Sequence, residues 1–229
     1  MNIGNKKCCV ALITHKESYT KEEEISFLRC LNVFKNRDIY IVMPNNINSS
    51  YFNEYTQKYD NFKIITMDPE WFRSYKTYQK LCCSTDFYKN FTEYDYMLVY
   101  QTDCWVYEDR LDEFIELGYD WYGAPWPHLG NNVGNGGFCL RKISKMIEIT
   151  SKESNEKAEP EDTWFCLKHK NEMNVCDLKT ACNFSVELIT NDFLKMIKNL
   201  PMGFHDRLNM QFWDEDGTKF LEYKKAHLQ

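Results

Sequence analysis

Short apolar segments alternate with amphipathic ones over the first half of the chain, and this alternation limits the fold more than any other feature. The apolar segments predict four buried strands, at residues 8–14, 38–43, 62–67 and 96–100. Helical spacing predicts helices between them, beginning at a capping box at 20–23 and covering 51–59 and 74–94. This β-α-β-α-β-α-β order is typical of an α/β fold with a mostly parallel central sheet flanked by helices.

The second half of the chain has a different character. A stretch rich in glycine, proline and tryptophan covers residues 122–137, and a charged run at 151–159 precedes a helix start at Pro160. A strand is predicted near residues 183–187, and a turn at 201–205. No serine- or glycine-rich linker and no internal repeat divides the sequence, and 229 residues suit one α/β domain. We therefore expect a single domain over residues 1–229.

Charge and cysteine usage exclude several classes of protein. A net charge of −6 argues against a nucleic-acid partner, which would require a basic face. No apolar run approaches the roughly 20 residues that span a bilayer, and none has the position of a secretory signal. We expect a soluble, cytoplasmic protein, with peripheral association with a membrane left open. The ten cysteines include two adjacent pairs inside apolar segments and no C-x-x-C spacing, which favours reduced core thiols.

Polar residues follow the predicted strands at the sheet edge where ligands of α/β proteins bind. Thr14 and His15 follow the first strand, and residues 101–103 follow the fourth. Asp103 could hold Mg²⁺ or Mn²⁺ together with substrate phosphates, although an aspartate that only begins a turn is the alternative. His205 alone has the pattern of a structural histidine, and it gains significance as a second ligand of the same ion.

Two further segments have both a structural and a functional interpretation. Residues 134–141 contain three glycines that would let the backbone approach a ligand, with Asn135 free to bind sugar hydroxyls. The alternative is a tight turn into a strand, and the spacing does not match G-x-G-x-x-G. Glu161 and Asp162 follow Pro160, which is ordinary helix-start chemistry, but one carboxylate could also act as a general base.

Taken in chain order, the strand-end aspartate, the glycine segment, the Glu-Asp pair at a helix start and the late histidine resemble the GT-A glycosyltransferases, a Rossmann-related fold. The stretches at 96–107 and 118–126 more closely resemble an uncharacterised GT-A-like family associated with bacterial surface-polysaccharide genes. The resemblance continues through residues 133–141, 161–162, 184–187 and 204–205. It implies a hexosyltransferase-type enzyme that moves a sugar from a nucleotide-diphosphate-sugar donor to a hydroxyl of a glycan or lipid-linked glycan.

The resemblance also implies roles for individual residues. Residues 1–103 would bind the nucleotide, and residues 104–229 the sugar and the acceptor. Asp103 and His205 would hold Mn²⁺ or Mg²⁺, and Asp162, next to Glu161, would deprotonate the acceptor in an inverting displacement. The donor would contact Thr14, His15, Gln101, Asp103, Asn135, Gly136 and Gly137, and sugars would contact Trp126 and Trp164. Position 101 is glutamine, so the strand end carries one acid of a D-x-D motif rather than two.

Two other functions fit parts of the sequence. A nucleotidyltransferase shares the strand order, but it would carry a glycine-rich basic loop after the first strand, and residues 14–18 contain no glycine. A non-catalytic carbohydrate-binding or assembly protein that retains the fold is the second alternative, and Gln101 favours it. Binding of a nucleoside diphosphate only in the presence of manganese would separate an enzyme from this last class.

Overall fold

The computed structural model describes residues 6–130 and 132–228. Its strands are β1 (Cys8–Ile13), β2 (Ile39–Pro44), β3 (Phe62–Met67), β4 (Tyr96–Tyr100), β5 (Trp105–Val106), β6 (Trp121–Tyr122), β7 (Pro125–Trp126), β8 (Asn132–Val133), β9 (Phe138–Lys142), β10 (Ser185–Val186) and β11 (Gly203–Phe204). Its α-helices are α1 (Lys21–Val33), α2 (Ser50–Lys58), α3 (Tyr75–Cys82), α4 (Thr85–Lys89), α5 (Leu111–Leu117), α6 (Ile143–Lys152), α7 (Glu161–Thr163), α8 (Leu178–Phe184), α9 (Asn191–Met196) and α10 (Thr218–His227).

A six-stranded sheet in the order β3-β2-β1-β4-β9-β6 forms the centre of the protein. Strands β1 to β4 are mutually parallel where they pair, β9 runs antiparallel to β4, and β6 runs antiparallel to β9. The predicted α/β class and mostly parallel sheet are therefore confirmed. This order places the carboxyl ends of β1 and β4 side by side, which creates the edge where a ligand site is expected.

The two faces of the sheet explain why the strands are continuously apolar. Successive side chains of a strand point to opposite faces, so Val10 and Leu12 enter one hydrophobic cluster while Cys9 and Ala11 enter the other. Helices α1 and α2 contribute to the first cluster, and α3, α4 and α6 contribute to the second. Burial on both faces removes the polar alternation of a half-exposed strand. All ten cysteines are buried free thiols, in agreement with their placement in apolar segments.

Two predicted elements differ from the structure. The predicted helix at 74–94 is divided into α3 and α4, because the Ser84 hydroxyl accepts a hydrogen bond from the Phe87 N–H at 3.2 Å and begins a new helix. The strand predicted near 183–187 is reduced to the two residues of β10, since α8 continues through Phe184. Within the described residues, no helix has both the length and the apolar character needed to cross a membrane.

A second sheet, in the order β10-β11-β5, forms beside the end of β4. Strand β11 pairs antiparallel with β5, so that Phe204 lies opposite Trp105. Because β5 begins five residues after the last residue of β4, this pairing returns a distant part of the chain to the ligand-binding edge of the central sheet. The second sheet therefore carries residue 205 to the neighbourhood of residue 103.

Leu98 tests the importance of the central strand. Its side chain is fully buried in β4, and we expect Leu98→Ala to lower the free energy of unfolding by about 2–5 kcal/mol through lost burial and a cavity. The control is Leu117→Ala, because Leu117 is 55% exposed and should change stability by less than about 0.5 kcal/mol. Urea denaturation measures both, and equal effects would contradict the assignment of Leu98 to the core.

Candidate active site

Asp103 and His205 meet at the carboxyl end of β4. His205 Nε2 lies 3.6 Å from Asp103 Oδ1, because the pairing of β11 with β5 brings the two loops together. Gln101 belongs to the same group, since its Oε1 lies 3.2 Å from His205 Nε2. The loop that carries Gln101 is fixed by the Gln101 N–H, which donates to the Gly137 carbonyl at 3.0 Å. The structure thus brings together the residues from which the sequence predicted a metal site.

Glu187 lies on the opposite side of the His205 ring. Its Oε1 lies 3.3 Å from His205 Nδ1, so each ring nitrogen faces an oxygen. Burial lowers the pKa of His205, but Glu187 and Asp103 raise it by more, so that the net shift is upward. A carboxylate behind an imidazole commonly fixes the ring and makes its other nitrogen a better ligand. No role was predicted for Glu187; a carboxylate at the end of the strand predicted near residues 183–187 was the available signal.

The atoms available here fit a divalent cation that prefers oxygen and nitrogen ligands. One ligand atom from each of Asp103, Cys104 and His205 lies within 4.8 Å of the others. The Cys104 thiol is occupied, because it donates to the Gly137 carbonyl at 3.3 Å and burial raises its pKa well above the usual value. A carboxylate, an imidazole and the Gln101 amide oxygen remain, and this set suits Mn²⁺ or Mg²⁺ with phosphate oxygens completing the shell.

Two adjacent glycines separate the group of Gln101, Asp103 and His205, called the Asp103 group below, from the acidic pair, Glu161 and Asp162. A Cβ at Gly137 would lie 2.1 Å from His205 Nε2, and a Cβ at Gly136 would lie 2.5 Å from Glu161 Oε1. The missing side chains let His205 and Glu161 pack closely against one backbone segment. Asn135 supports this segment, since its Oδ1 accepts from the Gly137 N–H at 3.1 Å. The structure therefore shows a packing role for these two glycines, which were predicted to contact the donor.

Glu161 is occupied by a buried ion pair. Its Oε1 lies 3.0 Å from a guanidinium nitrogen of Arg141, which is fully buried and lies 4.4 Å from the centre of the Trp121 ring. The Glu161 N–H donates to Gln79 Oε1 at 2.5 Å, which ties the start of α7 to α3. These contacts hold the Glu161 carboxylate inside the protein, facing Arg141.

Asp162 has different surroundings although it is the next residue. It is partly buried, and its Oδ1 accepts from the Thr163 N–H at 2.7 Å. Its pKa is raised to about 6, by burial first and then by the negative charge of Glu161, against the opposing effects of backbone N–H donors and Arg141. Asp162 can therefore gain and lose a proton near neutral pH, as a general base must.

A cleft of about 550 Å³ opens beside the Asp103 group. Four predicted donor-binding residues line it: Thr14, His15, Gln101 and Asp103. The sequence analysis missed three cationic residues of the lining, Lys16, Arg73 and Arg207. Such cations give no signal in sequence, because they are scattered over three loops and the net charge of the chain is negative.

Trp126 and Trp164, predicted to contact sugars, lie elsewhere. Trp126 is 4% exposed and its ring packs against Gly134, and Trp164 is fully buried between Phe165 and His169. Neither lines the cleft, and neither ring face is open in this structure. Large aromatic rings bury the most apolar area, so packing in the second hydrophobic cluster accounts for both positions.

Solved glycosyltransferases share this fold. GlyE of Streptococcus pneumoniae TIGR4 superposes with a TM-score of 0.56 at 16% identity, over 97% of this chain and 60% of that one. The galactosyltransferase LgtC, solved with donor and acceptor sugar analogs, gives 0.56 at 11% identity over 96% and 95%. Mouse xyloside xylosyltransferase 1 gives 0.53 at 11% identity over 89% and 98%. At these identities the similarity shows the fold, which is that of the GT-A glycosyltransferases.

Sequence comparison places the chain in a family. No curated protein matches it. Residues 61–205 match one family, and this segment, more than half of the chain, includes Gln101, Asp103, both acids of the pair and His205. The chain therefore belongs to the family described as Protein of unknown function (DUF5672), and it has a GT-A-like fold.

Proposed function

We propose that this protein is a divalent-metal-dependent glycosyltransferase that moves a sugar from a nucleoside-diphosphate donor to a hydroxyl of a glycan, free or lipid-linked, in the cytoplasm. The observation that carries the proposal is the group formed by Asp103, His205 and Gln101 at the carboxyl end of β4, beside the cleft. LgtC, which shares the fold, was solved with donor and acceptor sugar analogs, and this supports assigning both kinds of ligand to the chain.

The charges of the cleft support a nucleoside diphosphate as its occupant. Three cations of the lining, Lys16, Arg73 and Arg207, outnumber its two acids, Glu23 and Asp103. Glu23 pairs with Lys16 at 2.5 Å and with Arg207 at 3.6 Å, so the lining keeps a small excess of positive charge. A volume of about 550 Å³ lies within the usual range for small-molecule sites. Thr14 directly follows β1, the parallel strand next to β4, where a base or ribose can lie while the phosphates extend toward Asp103.

Asp103 and His205 would hold Mn²⁺ or Mg²⁺, with the Gln101 amide oxygen as a third ligand. When bound, the cation would neutralise charge on the departing diphosphate. Glu187 holds the His205 ring so that Nε2 faces Asp103. The glycine at position 137 leaves the space that the ring occupies.

Asp162 would accept the proton of the acceptor hydroxyl. Its pKa of about 6 leaves it mostly ionised at neutral pH, and a positioned carboxylate of this kind typically contributes about 10²–10⁴-fold in rate. Glu161 is unavailable for this task because Arg141 occupies its carboxylate. One available carboxylate on the acceptor side favours a single displacement with inversion at the sugar, which NMR of the product anomer tests.

Nucleotide binding should depend on manganese. In a thermal-shift screen of UDP, GDP, ADP and dTDP, we expect at least one to stabilise the protein with MnCl2 and none to do so in EDTA. Asp103→Asn, which removes a ligand charge, and Gly137→Ala, whose Cβ would displace His205, should each weaken this binding at least about tenfold. Asp192→Asn, at an exposed aspartate of α9, is the control. Equal stabilisation in EDTA, or wild-type binding by Asp103→Asn, would contradict the metal site.

The two acids should respond differently to isosteric substitution. Asp162→Asn should lose about 10²–10⁴-fold in transfer while nucleotide binding stays intact, because the group acts on the acceptor. Glu161→Gln should instead destabilise the fold by about 3–5 kcal/mol, since it leaves the buried Arg141 without a charge partner. Nucleoside diphosphate release and urea denaturation measure the two effects. Near-full transfer by Asp162→Asn would remove Asp162 from the mechanism.

The rate of transfer should rise with pH through about 6 and then level off. Below its pKa Asp162 is protonated and cannot accept the acceptor proton, and above it the carboxylate is ionised. The same raised pKa means that ionised Asp162 disfavours the folded state above pH 6, so Asp162→Asn should not lower stability there. A kcat profile at saturating manganese checks the first statement. A profile that is flat across pH 6 would refute it.

A further inference from the structure

One aromatic side chain differs from all the others in its exposure. The chain has six tryptophans, fifteen tyrosines and fifteen phenylalanines, and all of them fall within the described residues. Among these, Tyr75 is the one that is mostly exposed, with 67% of its surface accessible. A single exposed apolar residue is not unusual in a protein. The position of Tyr75, however, is in the lining of the cleft.

Tyr75 lies on the face of α3 that contacts both the Asp103 group and the start of α7. Tyr78 and Gln79 share this face, because they follow at the i+3 and i+4 positions. The Tyr78 hydroxyl accepts from Gln101 Nε2 at 3.3 Å, beside the Asp103 group, and Gln79 accepts from the Glu161 N–H. Tyr75 is one helical turn before Gln79, so its ring stands at the side of the cleft next to the acidic pair.

The surroundings of the Tyr75 hydroxyl agree with this position. Its pKa is raised, by partial burial first and then by the negative charges of Glu161 and Asp162. These two acids act on the Tyr75 hydroxyl although α7 is far from α3 in sequence. The Tyr75 side chain therefore lines the cleft within the electrostatic reach of Glu161 and Asp162.

The backbone at Tyr75 is fixed although the ring is exposed. Ser74 caps α3, with its Oγ accepting from the Thr77 N–H at 3.2 Å and Thr77 Oγ1 accepting from the Ser74 N–H at 3.0 Å. Tyr75 is the first residue of the helix that this capping box begins. Because the backbone at Tyr75 is already fixed, a ligand that binds the ring has to order only the side chain.

We propose that Tyr75 is a sugar-binding platform, on which the acceptor sugar stacks so that its hydroxyl faces Asp162; this rests on the glycosyltransferase function proposed above. The C–H faces of a pyranose are apolar, and aromatic rings in ligand pockets bind such faces while a few polar groups fix the orientation. Tyr75 takes the acceptor because Gln79, one turn further along α3, accepts from the N–H at the start of α7, the helix that carries Asp162. The donor occupies the side of Thr14 and Asp103. Tyr75 thus takes the role that the sequence assigned to Trp126 and Trp164.

Glycoside binding tests this proposal on the full chain. The probes are methyl glycosides of glucose, galactose, N-acetylglucosamine and rhamnose, added to protein with MnCl2 and a mixture of UDP, GDP, ADP and dTDP. Saturation-transfer difference NMR should show binding that Tyr75→Ala weakens about five- to tenfold and Tyr75→Phe retains. The control is Leu117→Ala, at an exposed side chain outside the cleft lining. Nucleotide binding and thermal stability should be unchanged in all three variants.

The outcomes separate this proposal from the function on which it rests. Wild-type glycoside binding by Tyr75→Ala, or no glycoside binding by the wild type, overturns the platform even if nucleotides bind with manganese. Glycoside binding that depends on Tyr75, without nucleotide binding, supports the platform and overturns the glycosyltransferase. In a transfer assay, Tyr75→Ala should raise KM for the acceptor and leave KM for the donor unchanged. A loss confined to kcat would overturn the platform.

Discussion

The close approach of two side chains to a pair of glycines is the constraint on which the rest of the site depends. His205 packs where a side chain at Gly137 would be, and Glu161 packs where one at Gly136 would be. The segment precedes β9, whose pairing with β4 places it next to residues 101–104. His205, which follows β11 of the second sheet, and Glu161, at the start of α7, therefore both contact this segment. A side chain at position 137 would displace His205, and one at position 136 would displace Glu161.

The buried pair of Arg141 and Glu161 holds the second half of this arrangement. Burying two charges costs free energy, which good geometry and further hydrogen bonds must offset. Arg141 has these additional contacts, because it donates to the Gly136 carbonyl and to the Tyr88 hydroxyl and lies over the Trp121 ring. The pair thus fixes α7 against the glycine segment. It also leaves a negative charge beside Asp162, and together with burial this brings the pKa of Asp162 to about 6.

Sequence reasoning succeeded where one physical rule decided the outcome. Burial on both faces makes a parallel strand continuously apolar, so β1 to β4 could be predicted, and topology alone put Asp103 at the ligand-binding edge. Prediction was weaker where one residue type commonly occupies two different environments. A tryptophan in a glycine-rich stretch can cover a sugar or fill the core, and Trp126 and Trp164 fill the core in the structure. Tyr75 could not be identified, because its relevance comes from the way α3 packs on α7, not from local pattern.

Gln101 has a consequence for how ligands would bind in the proposed function. A D-x-D site offers two carboxylates to the cation, whereas here the corresponding position offers a neutral amide oxygen 3.2 Å from His205. Cation affinity rises with the charge of the ligands, so Asp103 and His205 alone would bind a free ion less tightly than two carboxylates. The missing charge can come from a diphosphate, whose oxygens share the ion. Because coupling between two ligands is reciprocal, the ion then strengthens nucleotide binding by the same factor as the nucleotide strengthens ion binding. The substitution at position 101 thus favours entry of the two together, and a neutral residue at a strand end is compatible with a working metal site.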